Sequence, residues 1–346
     1  TNNILKSTGS IDNEINGDIY RNEDKTYNGT GKQTERRIYQ DGIVCKSDLK
    51  IIEGTITIDA VDDAMRGKKT IAIKSGTINL FAKADAMKSL GVNYKEGNIV
   101  IDGGTISIMA TRDAIRANES IVINGGTFDI KANEAIESNY VKIAGGSIAI
   151  NAADDGLNGV DKKYETLKDK RQNEIIPQLT ITGGKVNIVT RGDGIDINGN
   201  VDMSGGELII RGPSTNGNSS IDYNGVFNVT GGVLFAAGSS GMAMAPSSTS
   251  LQHSVIIFLS QPMNKIATAY IENSKGKEVA KFPIGIKTRC ITLSSNMLKE
   301  KEQYVLYIGD ESVVENYNNA TEEIIKIPFT INGMVTEIEA AKTRTK

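Results

Sequence analysis

The chain contains few of the residues on which common catalytic and metal centres depend. Its 346 residues include no tryptophan, two cysteines and one histidine, His253. A single imidazole excludes a histidine-rich metal centre, and any serine–histidine mechanism would rest on that one residue. The two cysteines, Cys45 and Cys290, lie far apart in the sequence. We expect two buried thiols rather than a disulfide.

Long apolar runs and a strong excess of charge are also missing. No run approaches the roughly 18 apolar residues of a transmembrane helix, so none is predicted. The formal net charge is −3, which argues against nucleic acid as a partner. The chain begins at Thr1 rather than at a methionine. We therefore expect a secreted or cell-surface protein from which a signal or lipid-anchor segment has been removed.

Glycine and aliphatic residues are abundant, and they recur in a repeated sequence pattern that begins with a glycine. There are 36 glycines, and the 39% of apolar residues are mostly Ile, Val and Ala. This composition is typical of many short β-strands around thin, stacked cores. The pattern occurs eight times, at spacings of 22, 28, 22, 20, 38, 22 and 26 residues. The eight copies begin at Gly54, Gly76, Gly104, Gly126, Gly146, Gly184, Gly206 and Gly232. A basic period of about 20–22 residues with insertions indicates a solenoid.

Each copy carries three short apolar segments, as around Ile121, Phe128 and Ile136. None is long enough for a helix, so the pattern predicts three strands per turn of a parallel β-helix. We expect an all-β protein with a lead-in over residues 1–40, a β-helix over 41–246 and a small antiparallel β cap over 247–346. The cap would cover the open strand edges at the C-terminal end. A charged insertion at 159–178 is expected to be a loop, either solvated or placed over a binding face.

An acidic residue follows the turn glycine by eight or nine positions in six copies: Asp63, Asp85, Asp113, Glu134, Asp155 and Asp193. Three positions further on, the residue is basic in the early copies, where we expect surface ion pairs, and acidic or an amide in the later ones. Crowded carboxylates without Lys or Arg among them recruit a cation, and oxygen-only ligands suit calcium. The alternative is a ladder of Asn and Asp turns without an ion. The predicted metal ligands are Glu134, Glu137, Asp154, Asp155, Asn158, Asp193, Asp196 and Asp222.

Five motifs carry a resemblance to a known family: Asn133-Glu-Ala-Ile-Glu-Ser138, Ala153-Asp-Asp-Gly-Leu-Asn158, Arg191-Gly-Asp-Gly-Ile-Asp196, Gly212-Pro-Ser-Thr-Asn-Gly-Asn218 and Ala237-Gly-Ser-Ser-Gly-Met242. From about residue 41 to 246 the chain resembles bacterial secreted or surface parallel β-helix proteins that contain a carbohydrate-binding domain. These are related in fold to polysaccharide lyases, and the match is close to a clostridial member that binds cellulose and pectin. The resemblance implies a right-handed β-helix, bound calcium and recognition of plant cell-wall polysaccharide, including acidic pectic chains. A charged insertion stands here where family members often carry a Gly-rich one.

A non-catalytic polysaccharide binder is the function that the sequence favours. Calcium would bridge protein and uronate carboxylates, while basic and aromatic side chains contact the sugar. Ordinary surface packing is the competing explanation for the tyrosines. The residues predicted to contact the ligand are Arg66, Lys88, Arg112, Arg116, Tyr94, Tyr140 and Tyr164.

Two other functions remain open. One is a calcium-dependent pectate or polysaccharide lyase that acts by β-elimination, with Lys88 or Arg116 as the base. Lys88 would lie about three coils, or ~14 Å, from Asp155, which is too far for one reaction centre. Arg116 is nearer, at about two coils from Asp155 and one from Glu134. The other function is a structural adhesin in which calcium only holds the coils together.

Overall fold

The structure is a computed structural model that describes residues 4–8, 41–91, 95–160, 175–263, 267–285, 287–310, 324–340 and 344–345. Within these ranges the secondary structure consists of strands, which confirms the predicted all-β class. No helix in the described part of the chain is long and apolar enough to cross a membrane.

Three sheets form the sides of a parallel β-helix, and the chain visits them in a fixed order of B, C and A. Sheet B consists of β2 (Ile43–Cys45), β5 (Met65–Gly67), β8 (Met87–Ser89), β11 (Asp113–Ala117), β14 (Glu134–Ser138), β17 (Leu157–Gly159), β20 (Ile195–Ile197) and β23 (Ile221–Tyr223). Sheet C consists of β3 (Asp48–Ile51), β6 (Thr70–Ile73), β9 (Asn98–Ile101), β12 (Ser120–Ile123), β15 (Tyr140–Ile143), β18 (Gln178–Ile181), β21 (Asn200–Met203) and β24 (Phe227–Val229).

Sheet A is the longest side and continues beyond the coils. Its first strand pairs antiparallel with the second, and the next seven pairings are parallel. In spatial order it consists of β1 (Ile4–Thr8), β4 (Thr55–Ala60), β7 (Thr77–Ala82), β10 (Thr105–Ala110), β13 (Thr127–Ala132), β16 (Ser147–Ala152), β19 (Lys185–Thr190), β22 (Glu207–Arg211), β25 (Val233–Gly238), β29 (Thr288–Ser295), β26 (Ser254–Met263) and β32 (Val335–Ala340).

The core is a set of stacked aliphatic columns. Ile78, Ile106 and Phe128 pair in register on sheet A, and each is at most 2% exposed. Burying one such side chain contributes about 1.5–3 kcal/mol. The corner before sheet A is tight, because a Cβ at Gly104, where φ is +102°, would lie 2.7 Å from the carbonyl oxygen of Gly76. The repeated glycine therefore lets successive coils stack directly on one another.

A small antiparallel sheet packs against the C-terminal end, as the fold prediction expects. Strand β29 pairs antiparallel with β25 and extends sheet A past its last coil. Phe235 of β25 points away from the β-helix core and stacks on Phe282, with ring centroids 4.4 Å apart. Cys45 and Cys290 are both buried and unpaired. The antiparallel sheet, sheet D, consists of β28 (Glu278–Ile284), β27 (Ala267–Asn273), β30 (Gln303–Gly309), β31 (Ile324–Thr330) and β33 (Arg344–Thr345).

Candidate functional site

The repeated acidic residues stack at the corner where the chain passes from sheet A to sheet B. In several coils one oxygen of the carboxylate accepts a hydrogen bond from the backbone of the next coil. The amide of Asp63 donates to Oδ1 of Asp41 (3.3 Å), and that of Asp85 donates to Oδ1 of Asp63 (3.1 Å). Further along, the amide of Asp193 donates to Oδ1 of Asp155 (2.7 Å). The column therefore has a structural role, since it satisfies buried backbone donors at these corners.

In the early coils the second carboxylate oxygen is neutralised by a basic side chain. Nη1 of Arg66 lies 3.2 Å from Oδ2 of Asp41, and Nζ of Lys88 lies 2.5 Å from Oδ2 of Asp85 and 3.4 Å from Oδ2 of Asp63. These three aspartate side chains are at most 3% exposed. Lys88 pairs with Asp85 three positions before it, as expected, whereas Arg66 lies back across the column and pairs with Asp41 of the preceding coil. The aspartates are buried rather than on the surface, while the Arg66 side chain is 37% exposed.

Arg116 is the last basic residue in its register beside the acidic column, and the residues that continue this register are acidic or amide. Its Nη1 lies 3.3 Å from Oδ2 of Asp113, and its Nε lies 3.0 Å from Oε1 of Glu137 in the next coil. Burial opposes the charge of Arg116, but the carboxylates of Glu137, Asp113 and Asp85 outweigh it and raise its pKa. Beyond it, the positions that continue the register are Glu137, Asn158, Asp196 and Asp222.

Three of the predicted metal ligands form a compact group, which we call the acidic cluster: Asp155, Asp193 and Asp196. Each offers an oxygen within 4.8 Å of the others. Burial and the neighbouring carboxylates raise the pKa of Asp155 to about 7 and that of Asp193 to about 6, although each accepts a backbone hydrogen bond that opposes the rise. In the part of the chain that the structure describes, no Lys or Arg pairs with the three. Such a group is stabilised by a cation or by protons.

The other predicted ligands lie outside this group of three. Nδ2 of Asn158 donates to Oε2 of Glu134 (3.1 Å), and Glu137 is engaged by Arg116. Burial, followed by the charge of Glu137, raises the pKa of Glu134 to about 8. The buried Oδ1 of Asn158 has no hydrogen-bond partner among the described residues, and Asn158 pairs in register with Asp196 of the cluster. An oxygen in this state fits the donor set of a hard divalent cation.

A second acidic group was absent from the sequence-based prediction. Asp41, Asp62 and Asp63 also place oxygens within 4.8 Å of one another. Arg66 already neutralises Asp41 there, and Lys88 lies 3.4 Å from Asp63. The acidic cluster, which lacks such cations, is therefore the stronger candidate for a metal ion.

Of the residues predicted to contact sugar, Arg66, Lys88 and Arg116 are brought together, because they pair in register on sheet B. Arg66, Lys88 and Arg116 are engaged in the column, and Arg112 is exposed at the corner. The tyrosines predicted for stacking do not join them: Tyr140 is 37% exposed on sheet C, away from the column, and Tyr94 and Tyr164 lie outside the described residues.

A surface groove of about 440 Å³ lies at the same corner, beside the middle of the acidic column. Met109, Lys131 and Asn151 project from sheet A in register on one side, and Asn133 and Arg191 line the corner. Neither Lys131 nor Arg191 was in the sequence-based prediction. The sequence did contain a signal for this row of side chains. The residue five positions after each turn glycine points outward from sheet A, and in two neighbouring copies this residue is Phe81 and Met109, which pair in register.

The fold and this corner define a parallel β-helix with a candidate cation site and a groove large enough for a sugar. Residues 1–213 match the model of a family described as carbohydrate-binding domain-containing protein. The chain belongs to this family, which supports carbohydrate as its ligand. No curated protein and no solved structure matched the chain. The resemblance to a carbohydrate-binding family is confirmed, while the relation to polysaccharide lyases and to a clostridial member stays a prediction.

Proposed function

We propose that the chain is a non-catalytic, calcium-containing protein of the bacterial cell surface or secretome that binds plant cell-wall polysaccharide, both cellulose and acidic pectic chains. The observation that carries this proposal is the acidic cluster, in which three carboxylates approach within 4.8 Å without a basic partner among the described residues. Membership of the carbohydrate-binding family supports the ligand class.

The donor set of the cluster favours calcium over transition metals. Its side chains offer only carboxylate oxygens, and the buried Oδ1 of Asn158 lies in the neighbouring register position. Calcium takes 6–8 oxygen ligands at flexible geometry, whereas zinc and copper sites use His and Cys. Asp154 and Asp222 stand beside the cluster and add their charge to it. A bound divalent ion would supply positive charge and free coordination positions for uronate carboxylates.

Cellulose is included in the proposal because the coils form flat sides. Parallel strands at a spacing of about 4.8 Å present regular rows of side chains to an extended glucan. On sheet A one such row consists of Thr55, Thr77, Thr105 and Thr127, which are exposed or half-buried and pair in register. Hydroxyl rows of this kind suit hydrogen bonding to a neutral polysaccharide.

A lyase is less well supported by the contacts of its candidate bases. Nζ of Lys88 lies 2.5 Å from Oδ2 of Asp85, and four carboxylates raise the pKa of Arg116. The raised pKa keeps Arg116 protonated, and the ammonium group of Lys88 is engaged by Asp85, whereas a base in β-elimination must be free to accept a proton. The lyase and the structural adhesin are the outcomes against which the binder is tested.

Calcium binding is tested by calorimetric titration of protein stripped with EDTA. The wild type is expected to bind calcium, and Asp196→Asn is expected to lose at least about tenfold in affinity. Asp129→Asn removes the same charge from an exposed position of β13 and serves as the matched control. An unchanged affinity in Asp196→Asn would show that the acidic cluster is not the site.

Polysaccharide binding is tested on the same preparation with polygalacturonate and insoluble cellulose, each with calcium and with EDTA. The binder predicts retention of polygalacturonate that calcium strengthens, without growth of the ultraviolet absorbance of an unsaturated uronate. Growth of that absorbance with calcium would identify a lyase. Calcium-dependent thermal stability without retention of either polysaccharide would identify a structural role.

A further inference from the structure

The groove at the corner of sheets A and B combines positive charge with polar and apolar contacts. Lys131 and Arg191 supply the charge, Asn133 and Asn151 supply amide groups, and Met109 supplies an apolar wall. Its volume of about 440 Å³ is in the range of small-ligand sites. Among the described residues, neither Lys131 nor Arg191 forms an ion pair, in contrast to the basic side chains of the acidic column.

The strands that line the groove show in which direction it runs. Met109, Lys131 and Asn151 come from three consecutive coils and pair in register, so the groove crosses the strands and runs along the axis of the β-helix. Arg191 follows β19 in the next coil. Successive coils are about 4.8 Å apart, which is close to the length of one pyranose unit in an extended chain. Each coil therefore presents one side chain to each successive sugar.

The apolar end of the groove continues beyond Met109. Phe81 pairs in register with Met109, and the two side chains are 41% and 51% exposed. Two large apolar side chains exposed side by side on an otherwise polar sheet indicate a contact surface. An aromatic ring and a thioether suit the C–H face of a sugar, whose hydroxyl groups point outward around the ring.

We propose that this groove is a subsite for an extended acidic sugar chain, in which Lys131 and Arg191, two coils apart, bind carboxylates of its uronic acid residues directly, without a metal ion. Charge complementarity carries the choice of a uronate over a neutral sugar, since the guanidinium matches a carboxylate bidentately and the ammonium adds a point charge. The inference rests on the proposed polysaccharide binding, and it adds to that proposal a subsite separate from the acidic cluster.

The test measures the affinity of an oligogalacturonate and of its carboxyl-reduced, neutral counterpart for the full chain. Wild type, Lys131→Ala and Arg191→Ala are compared with Lys142→Ala, which removes the same charge from an exposed position of β15 on sheet C. In EDTA the wild type is expected to bind the charged oligomer. Each groove variant is expected to bind it with about tenfold lower affinity, since the loss of a hydrogen bond to a charged group weakens binding by about this factor. Lys142→Ala should bind like the wild type.

The neutral oligomer and the calcium arm separate the possible outcomes. Lys131→Ala and Arg191→Ala should leave the affinity for the neutral oligomer unchanged, whereas Met109→Ala should weaken the binding of both oligomers. Equal affinity of the groove variants and the wild type for the charged oligomer in EDTA overturns the subsite. So does a wild type that binds the charged oligomer only with calcium. An absence of calcium binding in the titration refutes the metal proposal while the losses in the groove variants remain.

Discussion

Replacing Asp155 by asparagine separates the structural and electrostatic roles of the acidic cluster. Oδ1 of Asp155 accepts a hydrogen bond from the amide of Asp193 at 2.7 Å, and an asparagine oxygen can accept the same bond. The substitution therefore keeps the corner and removes one negative charge. In metal-free protein at neutral pH we expect Asp155→Asn to stabilise the fold, although it removes an acidic residue of a kind that six of the eight copies carry at this position.

The size of the effect follows from the pKa of Asp155, which burial and the charges of Asp154, Asp193 and Asp196 raise from 3.8 to about 7. A carboxyl group whose pKa is raised by folding contributes stability below its unfolded pKa, and it loses that contribution as the pH rises through the folded pKa. A rise from 3.8 to about 7, at about 1.4 kcal/mol per pH unit, corresponds to at most about 4 kcal/mol. Because Asp155 is partly exposed, we expect about 1–4 kcal/mol above pH 7.

The assay is urea unfolding of EDTA-treated protein at about pH 4 and about pH 8, where the linkage predicts different results. At the lower pH the wild type and Asp155→Asn should be equally stable, and at the higher pH the variant should be more stable. Asp129→Asn, at an exposed position of β13, should match the wild type at both. Calcium at about 100 times its Kd should add about 2.7 kcal/mol to the wild type and less to Asp155→Asn. A variant less stable than the wild type at the higher pH would refute this account of the cluster.

Two further substitutions test the contacts that hold the fold together. Arg116→Met removes the cation that contacts the buried carboxylates of Glu137 and Asp113, and it should lower the free energy of unfolding by about 3–5 kcal/mol. Lys142→Met, at an exposed position of sheet C, should lower it by less than about 0.5 kcal/mol. A loss no larger than that of the control would contradict a bridging role for Arg116. Phe235→Ala removes the stack on Phe282 and should cost about 3–5 kcal/mol. Proteolysis should then cut sheet D before the coils, and cleavage in the coils first would contradict that order.

The stacked column could be predicted residue by residue because a solenoid is nearly one-dimensional. Once the turn glycines are aligned, residues at equal distance from them stack, as Arg116, Asn158 and Asp196 do, and Glu137 joins them from a copy that is one residue shorter. The alternating Ile of each copy likewise predicts the buried columns. Neither inference needs any contact between distant parts of the chain.

The remaining contacts of the site could not be predicted, because they depend on which neighbouring coil each long side chain reaches. Arg116 could lie toward either neighbouring coil, and only the structure shows that it crosses to Glu137. The same uncertainty made eight residues candidate ligands, where three meet within 4.8 Å. Docking of sheet D on the outer face of sheet A did leave a signal. Ile209 and Phe235 interrupt the polar–apolar alternation of their copies, which is typical of strands buried on both faces.

The change of sign along the column has a consequence for an acidic ligand. The early coils are neutralised internally, because Arg66, Lys88 and Arg116 pair with the carboxylates there. The later coils carry the acidic cluster, whose field repels a polyuronate in the metal-free protein. Removing the metal ions would therefore remove the coordination positions for uronate carboxylates. It would also leave the negative charge of the acidic cluster beside the groove, where that charge repels a polyuronate. Low salt should then weaken polyuronate binding in EDTA relative to the binding of a single uronate, which reaches only the groove.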